Sequence, residues 1–240
     1  VASGNLRICF VTLFPEIVQA FVNSSILLRA TRNKLVGFET VNPRDFTFDR
    51  NHKVDDSPYG GEPGMLIKAE PVALAIESLK LDSSARIIDL DPRGKIFEQS
   101  DSLELARCTE ICFLCGHYEG IDHRVIELFA SDCYSIGNFV VTGGEVPAML
   151  IADSIVRQIP GTLGNPLSLN ADSFSEANEG RLSAPNYTRP EVWRGVRVPE
   201  VLLSGNHEKI KSWRKSQSEE ISLKRSIPLP SQTPDKEPGS

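Results

Sequence analysis

ICFLCGHYEGIDHRVIELFA, residues 111–130, decides the fold class. Its first five residues are continuously apolar and end at a glycine, as in a strand buried on both faces and too short for a core helix. The next seven, 116–122, set two glycines among His, Tyr, Glu and Asp, which is loop chemistry. Residues 121–130 then take up helical periodicity. Strand, polar glycine loop and helix in that order make one unit of a parallel α/β sheet.

Working outward, the unit recurs. Residues 6–13, 36–41 and 86–90 read as further buried strands, and 71–79, 103–108 and 147–159 as helices, the last with Pro147 in its first turn. Such alternation predicts an α/β domain with a mostly parallel sheet, and physical rules alone predict an open, doubly wound one. Ligands of such sheets bind beside loops that follow strand C-terminal ends. The loops that qualify are 91–95, 116–122 and 143–147.

Beyond residue 160 the pattern changes. Residues 161–186 are rich in Gly, Pro, Ser, Asn and Asp without periodicity, so they read as a connection. Residues 198–203 are short and apolar, and 206–220 form a basic helical stretch carrying Trp213. The expected organisation is an α/β domain over 1–163, a flexible linker over 164–176, a small helical domain over 177–225 and a Pro-rich, disordered tail over 226–240.

The net charge of −6 conceals an asymmetry. Residues 1–180 carry 15 Lys and Arg against 25 Asp and Glu, whereas 181–225 carry 10 against 5. A basic C-terminal part suits a polyanion, and equally a solvated helix surface. Five cysteines, an odd number, argue for a reducing compartment rather than a disulfide framework. Cys112 and Cys115 have CxxC spacing, but an odd offset along a strand sends the two sulfurs to opposite faces, which favours inert buried thiols over zinc or redox chemistry. No apolar run is long enough to span a membrane, and the opening VASGNLRICF does not read as a secretory signal, so a cytoplasmic location is expected.

Several familiar sites are absent from the sequence: a GxxxxGK[ST] phosphate loop, an HExxH zinc helix, a GxSxG nucleophile elbow and a GxGxxG fingerprint. The four histidines, His52, His117, His123 and His207, are too scattered to suggest a metal cluster. What remains is glycine-rich loops, carboxylates and arginines. These fit a reaction in which a cofactor carries the reactive group while the protein positions and polarises.

Three segments are specific: NPRDFTFDRNHKVDDSPYGGEPGM (42–65), CGHYEGID (115–122) and SIGNFVVTGGEVPAM (135–149). They are followed in order by DSF (172–174), YTRPEVW (187–193), VPEVLLSGNHEKI (198–210) and SWRKSQS (212–218). Together they resemble the bacterial tRNA (guanine-N1)-methyltransferases, the TrmD-type enzymes. The resemblance implies a deep trefoil knot in the α/β domain, S-adenosylmethionine as cofactor, a homodimer with a shared active site, and methylation of N1 of the guanosine 3′ of the anticodon.

It also implies roles. Leu90, Asp91 and Pro92, then Gly116, Tyr118 and Glu119, would line the cofactor pocket with Ile136, Gly137, Asn138, Phe139, Val140, Val141, Gly143, Gly144 and Pro147. Glycines there let backbone approach adenine and ribose. Asp172 would be the catalytic base for the guanine N1 proton, and Arg157 would stabilise charge on O6. Asp55, Arg44, Tyr118, Glu119 and Ser173 would contact the tRNA, whose anticodon stem-loop is the expected partner. No protein metal site is implied, although Mg²⁺ is admitted as an aid to ionisation. Read alone, Arg157 is an i, i+4 partner for Asp153, and Asp172 is a loop or N-cap residue.

The chain departs from the family pattern at four places. IGNF (136–139) replaces IGDY, Glu62 replaces a glycine, Asp89 replaces an aromatic beside adenine, and Ser183 replaces an aspartate after a three-residue expansion. Two alternatives stand beside the main reading: a knotted methyltransferase acting on ribose or another base, and a non-catalytic RNA- or nucleotide-binding module. The pair Asp172 and Arg157 favours a substrate with an acidic N–H next to an oxo group.

Overall fold

The computed structural model describes residues 5–226, apart from Glu62, Pro166 and Ala171, and the backbone alone of Leu167 and Ser168. The chain divides into two compact units between Gly164 and Asn165.

In chain order, the first unit comprises β1 (Leu6–Val11), α1 (Pro15–Val22), α2 (Ser25–Arg32), β2 (Val36–Val41), β3 (Asp55–Asp56), β4 (Leu66–Ile67) and α3 (Ala69–Ser78). It continues with β5 (Arg86–Ile96), α4 (Gln99–Leu105), β6 (Glu110–Leu114), α5 (His123–Phe129), β7 (Asp132–Ser135) and α6 (Glu145–Gln158). Five strands form one sheet in the order β2-β1-β6-β5-β7, and all its pairings are parallel.

Both faces of that sheet are covered, which is why its central strands read as unbroken apolar runs. On β1, Ile8 and Phe10 pack with α1, α2, α4 and α6, while Cys9 and Val11 pack with α3 and α5. β6 does the same: Phe113 and Cys115 belong to the first cluster, Cys112 and Leu114 to the second. Cys112 and Cys115 therefore lie on opposite faces, and burial pushes both thiols well above their ordinary range. The Phe10 and Phe113 rings meet across neighbouring strands, 5.5 Å between centroids.

Several elements of this unit escaped the periodicity reading, among them the two-residue strands β3 and β4. Helices α1 and α2 have only eight residues each, two turns, too few to fill the 11–18-residue window in which a 3.6 period stands out. Strand β7, DCYS, is a four-residue edge strand with a polar first residue. Strand β5 runs past Leu90 to Ile96, but its pairing with β7 breaks between Leu90 and Lys95. Residues 91–94 bulge out of the ladder there, and a Pro and a Gly within them erase the strand pattern.

The second unit holds α7 (Leu167–Asn170), the short hairpin β8 (Val192–Trp193) and β9 (Val196–Arg197), α8 (Glu200–Leu203) and α9 (His207–Lys224). Asn206 caps α9, its side chain accepting from the Lys209 N–H at 3.1 Å. The expected tail lies outside the described residues from 227 onward.

An ion pair closes the sheet edge. Arg86 on β5 donates to both carboxylate oxygens of Asp132 on β7, at 2.7 and 2.5 Å, and also to Glu104 at 2.8 Å. Burial acts to raise the Asp132 carboxyl, but the bonds from Arg86 and Ser131 outweigh it and hold the group below its ordinary value. A carboxylate lowered in the folded state contributes stability above its unfolded value of about 3.9, and that stability is lost as pH falls through the folded value. Asp132→Asn is therefore expected to cost about 1–2 kcal/mol at neutral pH. The gap to the parent should close as urea midpoints are followed down to about pH 2; a constant gap would show that the charge is not the cause.

Candidate active site

At the break within β5 and the C-terminal ends of β6 and β7 the loops enclose a cavity of about 270 Å³. The β5 bulge supplies one wall with Leu90, Asp91, Pro92 and Arg93, and Asp89 lies beneath it. Gly116, Tyr118 and Glu119 come from the loop after β6, and Ile136, Phe139, Val140, Val141, Gly143, Gly144 and Pro147 from the segment joining β7 to α6. Three loops distant in sequence are thereby brought to one space. Gly137 and Asn138 belong to the last segment without lining the cavity. Asp89, Arg93, Tyr134, Ser135 and Thr142 line it without having been singled out as contacts by sequence.

The loops are stitched together by backbone. The Gly144 N–H donates to the Gly116 carbonyl at 2.8 Å, and His117 bridges Gly143 in an antiparallel pair. A side chain at Gly144 would place its Cβ 2.7 Å from Cys115 Cα and 2.9 Å from Gly116 N, so only glycine allows this approach. At Gly94, a Cβ would stand 2.7 Å from the Cys133 backbone, which is where the bulge re-enters the ladder. The 64–67 segment is tied to the same loop: the Glu119 N–H donates to Met65 O at 3.0 Å and the Ile67 N–H to Gly120 O at 3.0 Å.

Beneath the loops sits Glu145, the first residue of α6, with 3% of its surface exposed. Its carboxylate accepts from the Thr12 hydroxyl at 2.6 Å and lies 2.6 Å from His117 Nε2. Sequence gave one faint signal for it, an acidic residue within the apolar first turn of α6. Its partners, on segments 133 and 28 residues away, carry none.

The cavity is acidic. Asp89, Asp91 and Glu119 face one arginine, Arg93, which donates to Asp91 at 2.8 Å through both Nε and Nη2. That pairing holds Asp91 below the usual carboxylate range. Burial pushes the Asp89 carboxyl up, and the nearby Asp91 charge adds to it. The only side-chain donor to Asp89 in the described hydrogen bonds is the Cys133 thiol, at 3.6 Å. An acid-lined, glycine-walled cavity with apolar Leu90, Ile136, Val141 and Pro147 fits a cofactor that combines a flat apolar base with a positive charge.

The remaining predicted residues lie elsewhere. Arg157 is in the last turn of α6. Arg44, in the 3₁₀ turn Pro43–Phe46, donates to the His52 carbonyl at 3.4 Å, and Asp55 pairs with Ile67 in the β3–β4 ladder. Asp172 and Ser173 belong to the second unit. There the Asp172 carbonyl accepts from Asn178 Nδ2 at 2.7 Å, and Ser173 Oγ lies 3.1 Å from Ser183 Oγ. The turn is moored to α9: the Leu182 N–H donates to Ser222 Oγ at 3.0 Å, and buried Arg181 pairs with Glu219 at 3.0 Å. Glu62 lies outside the described residues. A second concavity, of about 560 Å³, is confined to the second unit and gathers His207, Lys211, Arg214 and Lys215 from one side of α9. Among the described residues no group of three or more His, Cys, Asp or Glu side chains is arranged to hold a metal, and no helix is long and apolar enough to cross a membrane.

Fold and site together define an α/β protein whose cavity is built from loops at one edge of a parallel sheet packed against one another, the arrangement of the knotted methyltransferases. Residues 6–231 match the family described as tRNA (Guanine-1)-methyltransferase TrmD, and the chain belongs to that family. A tRNA (guanine-N(1)-)-methyltransferase from Dehalococcoides mccartyi is 49% identical over 222 residues, covering 92% of this chain and 88% of the relative. Those of Bacillus subtilis and Staphylococcus carnosus are each 47% identical, covering 89% and 88% of this chain and 87% and 85% of theirs. The five-stranded parallel sheet is accordingly that of the trefoil-knot superfamily, with a helical region C-terminal to it.

The close passage of Gly144 over Cys115 and Gly116 yields a direct test. Gly144→Ala must push backbone apart, and S-adenosylmethionine affinity by calorimetry is expected to fall at least tenfold, ~1.4 kcal/mol. Gly37→Ala, a substitution into open space on β2, serves as the control. Equal affinities in both variants would show that the loop approach does not shape a cofactor site.

Proposed function

We propose that this chain transfers a methyl group from S-adenosylmethionine to N1 of the guanosine immediately 3′ of the anticodon in tRNA, in the cytoplasm. The observation that carries the reading is the family match, which spans both compact units from residue 6 to 231. The cofactor supplies an electrophilic methyl on a sulfonium centre, and the acid-lined cavity suits that charge. Leu90, Gly116, Ile136, Gly143 and Gly144 hold its adenosine, and Asp89, Asp91 and Glu119 offset its charge.

Guanine N1 carries a proton at neutral pH and has no free lone pair in the ring plane to attack the methyl. Asp172 accepts that proton, and the Arg157 guanidinium stabilises the negative charge that gathers on O6 as the proton leaves. Tyr118, Glu119, Ser173, Arg44 and Asp55 position the tRNA. Two copies of the chain share the site, with Asp55 serving the site in which the partner's Asp172 acts. Exposed apolar groups in and around the segment leading into α6 support a dimer: Phe139 is 56% exposed, Val140 84%, Val146 54% and Leu150 52%. The basic side of α9 supports a polyanionic partner.

The deciding experiment incubates the protein with labelled S-adenosylmethionine and unmodified tRNA and identifies the methylated nucleoside. 1-Methylguanosine is expected; a ribose-methylated nucleoside, another base or no transfer would reject the reading. Asp172→Asn should lower turnover at least a hundredfold while leaving cofactor affinity within about twofold. Arg157→Ala should fall at least as far in turnover, and Arg157→Lys should recover only part, because a point charge replaces a fork of donors. A loss of cofactor affinity in Asp172→Asn would remove it from the guanine side of the reaction.

A shared site also predicts complementation. Asp55→Ala and Asp172→Ala, each inactive alone, should regain activity when mixed under conditions where labelled subunits are seen to exchange, because some heterodimers carry one intact site. Exchange without recovery would rule out sharing.

A further inference from the structure

We propose that the hairpin formed by β8 and β9 is a stacking platform for an unpaired base of RNA, with Trp193 as its aromatic surface and Arg194 as its cationic partner. The proposal rests on the tRNA reading above and deepens it by naming a part of the second unit that reads single-stranded nucleotides.

Residues 186–197 are all exposed, and the stretch includes Tyr187, Val192, Trp193 and Val196. Trp193 keeps 61% of its surface in water. An isolated two-stranded hairpin is marginal in water, so an exposed one needs other support. Here it is well ordered by local bonds. Val192 pairs with Arg197 and Trp193 with Val196, the Val198 N–H donates to Glu191 O at 2.9 Å, and Arg197 and Glu191 form an ion pair of 2.5 Å. Arg194 and Gly195 make the turn, with φ of 51° and 81°, the two positive values that a tight hairpin turn requires. Glycine supplies the second at little cost, whereas an arginine in the left-handed region is uncommon. That conformation carries the Arg194 guanidinium to 4.9 Å from the Trp193 ring centroid.

A hydrogen-bonded hairpin that leaves its largest apolar side chain in water, beside a guanidinium, is not using it for its own core. Charge favours nucleic acid over a protein partner. Residues 187–198 hold Arg189, Arg194 and Arg197 against Glu191 alone. An indole offers a flat surface to any unpaired base, and an arginine adds cation–π contact and a phosphate donor. A base locked in a duplex presents no free face, so the platform selects loop nucleotides.

The test uses the full-length protein and two probes, an unmodified tRNA transcript and a fully paired RNA duplex. Trp193→Ala should weaken tRNA binding about tenfold and leave duplex binding within twofold, and Trp193→Phe should restore most of the loss. The chain has two tryptophans, so in a Trp213→Phe background tRNA should quench the emission of Trp193, while S-adenosylmethionine should not. Unchanged tRNA affinity in Trp193→Ala, equal losses on both probes, or a fall in dimer mass without a change in tRNA affinity would each overturn the proposal. If the parent protein itself fails to bind tRNA, the proposed function fails with it; if the parent binds and Trp193→Ala binds equally well, only the platform is lost.

Discussion

The Glu145 carboxylate, buried at the start of α6, ties together three parts of the chain through side chains, beside the backbone bonds that already bring them close. It accepts from Thr12 beyond the end of β1 and lies within hydrogen-bond distance of His117 in the loop after β6. Thr12 in turn accepts from the Phe14 N–H at 2.9 Å, and the Phe14 ring packs 4.7 Å from that of His117. A buried carboxylate without donors costs several kcal/mol, so the entry to α1, the 116–122 loop and the head of α6 must be in place together. The glycine contact between 144 and 116 lies directly beside this knot of bonds, and cavity walls on both sides inherit their position from it.

The other wall depends on a break rather than a bond. A strand that kept its register with β7 beyond Leu90 would close the sheet over the space that Asp91, Pro92 and Arg93 now line. The 91–94 bulge prevents that, and the Arg93 N–H, donating to Asp91 Oδ1 at 2.8 Å, fixes its shape. Ladder pairing resumes at Lys95 and Ile96, so the opening is achieved at the loss of a few backbone bonds while β5 remains one strand. The result is a cavity beside the strand ends, where parallel sheets in general offer ligands access.

Much of this was legible in the sequence, and unevenly. The buried strands β1 and β6 declared themselves because both of their faces are covered, so little polar alternation dilutes them. The three cavity loops were legible as loops because each sets Gly among polar or Pro residues: DPRGK at 91–95, GHYEGID at 116–122 and GGEVP at 143–147. The connectivity was not. Threading one loop behind another leaves the local pattern of strand, loop and helix unchanged, so composition and periodicity pointed to an open sheet, and only the order of motifs across 42–218 pointed to the knotted family. Glu145, His117 and Thr12 were equally hidden as a group, because a hydrogen bond spanning 133 residues has no sequence spacing to betray it. Asp89, which departs from the family pattern, lines the cavity, and its carboxyl is pushed up by burial and by the nearby Asp91 charge.

The charge division gains sense from the same geometry. A protein with a net charge of −6 is a poor general ligand for nucleic acid, and the acidic side chains that make it so are concentrated before residue 181. Some of them line the cavity, where they suit a positively charged cofactor. The basic side chains of the second unit, on α9 and on the β8–β9 hairpin, provide the opposite field. Opposite fields on separate units let one chain attract a cation and a polyanion at once without either occupying the site of the other. Uniform charge of either sign would favour one of the two partners over the other, and the asymmetry along the chain gives each a local field of the opposite sign.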